Sequence, residues 1–249
     1  MRAGGGLVAG GVAYRLFLWL VPFGLVMAAL LGFWLDLDPE GAERSAKEFG
    51  IGAAAVAEAA KAVDARTGSR AALLVVGLVL LAWFTLGAVR ALKLASAFAW
   101  GMERPRLRRP LHSIVAFNGL ILAATLSFTA LAWLRETLGL GALLAVAGLL
   151  TLHTGLALLI LWLLPRRTDR WQDLLPGALL VAVGAELIHV AVVFYFVPKL
   201  ERSSELYGAL GTATVLLVWL YVIGRLLTSA AFLNSTVWER RRSEPPAPA

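Results

Sequence analysis

Six long apolar runs divide the chain, at about 12–35, 71–89, 111–134, 140–164, 176–197 and 210–233. A helix needs roughly 20 largely apolar residues to cross a hydrocarbon layer of about 30 Å. Each run is of that order, and the second continues in helix-compatible sequence to Trp100. The polar residues fall in short clusters between the runs. The pattern predicts an all-α, polytopic transmembrane bundle of six helices.

The longest connection, 36–70, starts acidic with Asp36, Asp38, Glu40 and Glu43. Its middle is alanine-rich, with Val56 and Val63 on one helical face. That predicts a short amphipathic helical insertion after the first span, too polar to cross the layer. The six-span membrane domain is expected over 1–238. The proline-containing tail, 239–249, is expected to be disordered. Pro22 should bend the first span, and Pro176 suits the first turn of the fifth.

The connections give an orientation. Lys93, Arg104, Arg106, Arg108 and Arg109 follow the second run, Arg166, Arg167 and Arg170 the fourth, and Arg240, Arg241 and Arg242 the sixth. The alternate loops are balanced: Arg135 with Glu136, then Lys199 and Arg202 with Glu201 and Glu205. Basic residues in short loops mark the cytoplasmic side. Both termini are therefore expected in the cytoplasm.

Composition supports a bilayer as solvent. Only 16% of residues are charged, against about 25% in soluble domains. The net charge of +7 is explained by cytoplasmic loops, so nucleic acid is not an expected partner. The absence of cysteine excludes disulfides and thiolate chemistry. The first run lacks a small-residue cleavage site and reads as a retained span. Trp34, Trp100, Trp162, Trp171 and Trp238 fall near predicted span ends, where an aromatic belt belongs.

Ionisable residues inside spans are the candidates for chemistry, because a charge in hydrocarbon costs several kcal/mol. Glu186 falls near the middle of the fifth span, with His189 three residues on. Arg225 falls in the sixth, at a depth similar to Glu186. The two are expected to pair or to face one polar cavity. Such a pair fits a packing salt bridge or a proton- or substrate-coupled site, and a protonated Glu186 on a backbone carbonyl is a third alternative. Tyr221 shares a helical face with Thr214, Arg225 and Thr228, and Asn118 one with Thr125 and Thr129. Arg15, next to Tyr14, is near enough to the first span's end to reach the surface. These residues are the pathway candidates. Arg104, Arg106, Arg108 and Arg109 are candidates for lipid headgroups.

His112, His153 and His189 fall in three different spans without metal-ligand spacing, so no metal is expected. Gly4, Gly5 and Gly6 lack the lysine and strand of a phosphate loop, and no GxSxG elbow occurs. Neither an enzyme nor a cofactor is expected. Gly6 and Gly10 have the GxxxG spacing of close helix packing.

Trp171-Gln-Asp-Leu-Leu-Pro-Gly-Ala178, Tyr207-Gly-Ala-Leu-Gly211 and Leu216-Leu-Val-Trp-Leu-Tyr221 occur in that order. The series resembles the YihY/BrkB family of bacterial inner-membrane proteins, once labelled ribonuclease BN. Ala13-Tyr14 followed by Pro22, and Trp100 with Glu103-Arg-Pro105, extend the likeness over nearly the whole chain. The resemblance implies six spans with a substantial loop after the first. Ser229-Ala-Ala-Phe-Leu-Asn234 lacks the glutamate usual there. The sequence carries no acidic metal cluster that would suit a ribonuclease.

The expected role is a transporter or flippase of a lipid or other envelope-related substrate. The alternative is a non-transporting scaffold that organises the envelope. Membrane lipids are the expected partners, with a lipid or small molecule as substrate. An oligomer is left open.

Overall fold

The structure, a computed structural model, describes residues 4–37, 67–106, 109–138, 142–191 and 197–243. Along some helical stretches it describes the backbone alone. Among the described residues six α-helices follow in order: α1 Gly5–Leu37, α2 Thr67–Ala99, α3 Pro110–Leu138, α4 Ala142–Leu163, α5 Leu175–Ala191 and α6 Val197–Ser243. A 3-10 turn, Trp171–Asp173, precedes α5. The described regular structure is all helical, and the chain is polytopic, as the apolar runs predict.

Among the described residues, four segments are long and apolar enough to cross a membrane: Gly5–Met27, Leu74–Ala99, Pro110–Ser127 and Ala213–Ser243. Ala147–Leu163 and Leu175–Ile188 are shorter apolar helices. The amphipathic helix expected in the middle of the 36–70 connection, at about 53–65, lies outside the described residues. α6 runs 47 residues without a break. It takes in the polar stretch around Lys199 and Glu205 and continues to Ser243, into the segment expected as tail. Glu, Lys, Arg and Leu are good helix formers, so the helix goes on where the hydropathy does not.

The chain divides into two compact units, 18–87 and the remainder. In the smaller unit, Trp19 stacks on Phe23 at 4.7 Å. The Trp19 Nε1–H donates to Thr85 Oγ1 at 3.1 Å. A Cβ on Gly77 would lie 3.0 Å from Val26, so α1 and α2 approach closely there.

In the larger unit, α5 packs on both α4 and α6, and α3 packs on α4. Its buried positions are dominated by alanine, including Ala9, Ala88, Ala157, Ala178 and Ala230. Leu122, Leu187 and Leu210 are exposed. This is the distribution lipid favours: burying leucine away from lipid gains little, whereas small residues let helices approach. Trp100 is buried and meets Trp238 edge to face at 5.6 Å. That pair belongs to the core, while Trp162 and Trp171 are exposed as belt residues should be.

Candidate functional site

The start of α5 is held from two directions. Asp173, buried in the turn before it, accepts from Arg241 Nη1 at 2.9 Å and from Thr168 Oγ1 at 2.6 Å. Four residues on, the Gly177 N–H donates to Asn234 Oδ1 at 2.7 Å. Amides in the first turn of a helix have no partner within it, and here α6 supplies one. A Cβ on Gly177 would lie 2.6 Å from the Ala230 carbonyl oxygen. Only glycine permits the approach. Asp173 and Gly177 are two residues of the Trp171–Ala178 motif, and both join α5 to α6.

That contact fixes depth. Glu186 lies nine residues after Gly177, and Arg225 nine before Asn234. In antiparallel helices the two are level, as expected. Glu186 nevertheless takes a partner on another helix. Gly177 and Gly184 are seven residues apart and share the face that meets α6; a Cβ on Gly184 would lie 2.5 Å from Leu226. Glu186 is two residues beyond Gly184, about 200° around the helix. It therefore faces away from α6.

Its partner is His153 of α4. His153 Nδ1 lies 2.7 Å from Glu186 Oε1. His153 Nε2 lies 2.9 Å from Ser127 Oγ of α3. Side chains from three helices thus form one chain. Ser127 and His153 are buried, and the Glu186 side chain is 22% exposed.

Proton positions follow from the partners. Ser127 Oγ donates its only proton to the Ala124 carbonyl at 2.6 Å. It must then accept from His153 Nε2–H, which leaves Nδ1 facing the carboxyl group. The remaining proton lies either on Nδ1, giving an imidazolium–carboxylate pair, or on Glu186, giving a neutral pair. Both states have zero net charge, which suits a low-dielectric interior. A proton added or removed changes that charge at a depth where charge is costly.

The other candidates lie elsewhere. Arg225 and Tyr221 face α1: a Cβ on Gly6 would lie 3.6 Å from Arg225 Nη1 and 3.9 Å from Tyr221 Oη. The close α1–α6 approach is at Gly224, where a Cβ would lie 2.8 Å from the Ala9 carbonyl oxygen. Gly10 of the GxxxG pair has open space around it. Asn118 donates to the Ile114 carbonyl, and Thr125 to that of Ile121, each one turn back in α3. Arg15 and Tyr14 are exposed on α1. The His189 side chain lies outside the described residues. So does Arg108, while Arg104, Arg106 and Arg109 are exposed beside the α2–α3 connection.

Sequence reasoning missed the roles of Ser127 and His153. A signal for His153 existed. It lies ten residues before the end of α4, and Glu186 eleven after the start of α5. The two residues are thus at matching depth in antiparallel neighbours.

The chain matches the family described as virulence factor BrkB over residues 1–249. A UPF0761 membrane protein of Stenotrophomonas maltophilia (strain K279a) is 26% identical over 145 residues, covering 55% of this chain and 34% of that protein. A UPF0761 membrane protein of Bordetella petrii is 30% identical over 165 residues, covering 59% of this chain and 35% of the relative. The match thus spans about a third of the length of these curated relatives. No solved structure matches the chain. A whole-chain match, borne by an all-helical architecture with several membrane-length helices, makes this a membrane protein of the BrkB family.

Proposed function

We propose that this protein is a multi-pass inner-membrane transporter or flippase for a lipid or related envelope amphiphile, with both termini in the cytoplasm. The observation that carries this reading is the Ser127–His153–Glu186 chain. Helices in lipid can pack on alanine and glycine alone, and a scaffold needs no titratable pair at that depth. A pair that holds one proton and stays neutral suits coupling to a proton or a charged substrate.

The order serine, histidine, carboxylate is also that of a hydrolytic triad. Two features support a relay over a nucleophile. The Ser127 proton is committed to the Ala124 carbonyl. The serine lies inside α3, where backbone N–H groups serve the helix and cannot form an oxyanion hole. We therefore take this chain of side chains to act as a relay, without a covalent intermediate on Ser127.

The test is lipid translocation in proteoliposomes, read as bleaching of a headgroup-labelled lipid by an impermeant reductant. Glu186→Gln should abolish translocation while the protein remains folded in the membrane. Translocation by Glu186→Gln at the parent rate would sink the reading.

A further inference from the structure

An elongated cavity of about 250 Å³ lies within the larger unit, between α1, α2, α3, α4 and α6. Its long wall is one face of α3, from His112 to Ala124. Twelve residues of helix span about 18 Å. One leaflet of hydrocarbon is about 15 Å, half of a core of about 30 Å. The cavity is therefore as long as one acyl chain of one leaflet.

Its polarity is confined to one end. Lys93, His112 and Ser113 are its polar lining residues, and the other lining residues are apolar. Lys93 lies six residues before the end of α2, and His112 two after the start of α3. Both therefore sit at the α2–α3 connection, the segment that carries Arg104, Arg106 and Arg109. Ser113 Oγ donates to the Arg109 carbonyl at 3.0 Å, which ties the mouth to that segment. A small polar solute would leave the apolar length unused. A peptide would bring backbone groups into a wall without partners for them. A hydrocarbon chain with an anionic headgroup matches both parts.

We propose that this cavity binds one acyl chain of an anionic membrane lipid, with the lipid phosphate held by Lys93 and His112. Ala124, at the inner end of the lining, also carries the carbonyl that accepts the Ser127 proton. A chain that fills the cavity thus ends one helical turn from the buried relay. That this lipid is the substrate rests on the transport reading above; that it binds does not.

The test uses the full chain in bilayers carrying a photoactivatable diazirine at the end of one acyl chain. The probe lipid is phosphatidylglycerol in one sample and phosphatidylcholine in the other. One cationic residue near a membrane surface contributes about 1 kcal/mol, or about a five-fold preference for the anionic lipid. Phosphatidylglycerol should label Ile121, Ala124 and Ile223 at least about five-fold more than phosphatidylcholine does. The outward residues Val115 and Leu122 should take both probes alike. Replacing Lys93 and His112 together by Gln should bring inner labelling to the phosphatidylcholine level and leave outer labelling unchanged, which also reports a folded chain. Ala116→Phe, which narrows the cavity below the headgroup, should lower inner labelling alone. Equal inner labelling by both lipids, absent inner labelling, or inner labelling that survives both changes would overturn the proposal. Selective labelling without translocation would instead reject the transport reading and leave the lipid site standing.

Discussion

The Gly177 amide and the Asn234 side chain meet at 2.7 Å, across the first turn of α5 and the last third of α6. Asn234 is fully buried, and its Nδ2 has no hydrogen-bond partner among the described residues. A buried amide is kept there at a cost, so the contact must return something. It satisfies a first-turn N–H and sets the axial register of the two helices.

The glycines of this interface should differ in a fixed order when replaced by alanine. At Gly177 the new methyl meets a backbone carbonyl, which cannot move aside. Overpacking of that kind costs about 1–3 kcal/mol, or about 2–10 °C in Tm at this size. At Gly184 the neighbour is the Leu226 side chain, which can change rotamer, so the loss should be smaller. As a control outside the interface, Gly10→Ala on α1 meets nothing within 4 Å and should be close to neutral. Thermal unfolding of the three variants in one detergent checks the order.

Asp173 and Arg241 should couple weakly. The Arg241 side chain is 55% exposed, so water screens the pair, and about 0.5–1 kcal/mol is expected. Arg241→Ala should lower Tm by a few degrees. Adding it to Asp173→Asn should cost little more. A double-mutant cycle measures the coupling, which should shrink in high salt.

His153 and Glu186 should be interdependent in stability. Removing either partner leaves the other at depth without its hydrogen bond, at about 1–3 kcal/mol. The His153→Gln, Glu186→Gln double variant can restore a neutral bond between amides. It should be more stable than either single variant and still fail to translocate lipid. Full translocation by the double variant would reduce the pair to a packing contact.

In the smaller unit, Thr85→Val keeps the side chain's shape and removes the acceptor for Trp19 Nε1. A loss of about 1 kcal/mol follows from one neutral hydrogen bond. Tryptophan fluorescence during unfolding should show the earlier transition.

The helices were legible because lipid imposes a coarse demand, a run of apolar residues of fixed length. Their ends were not. The stretch around Lys199 and Glu205 is polar enough to leave the membrane and helical enough to remain in α6. Hydropathy registers the solvent, and propensity registers the backbone. The depth of Glu186 was also legible, since it needs only a count from the helix ends. Its partner needed the rotation of each helix. That rotation was written in Gly177 and Gly184, whose spacing of seven marks the α6 face and turns Glu186 towards His153. The polar residues of α3 misled for a related reason. Thr125 satisfies itself one turn back, and Ser127 does so too but still reaches another helix. The mouth of the cavity brings together Lys93 and His112 from two helices, and no local pattern announces it.

At about 1.5 Å per residue, the 47 residues of α6 measure about 70 Å, more than twice the hydrocarbon core. Pro198, in its first turn, is its one proline, so no proline kinks its length. A tilt imposed near Asn234 reappears, reversed in direction, at the end near Val197. The basic residues Arg240, Arg241 and Arg242 in its last turn are then a handle: whatever grips them, a headgroup layer or another chain, takes hold of one end of a lever that reaches to Val197.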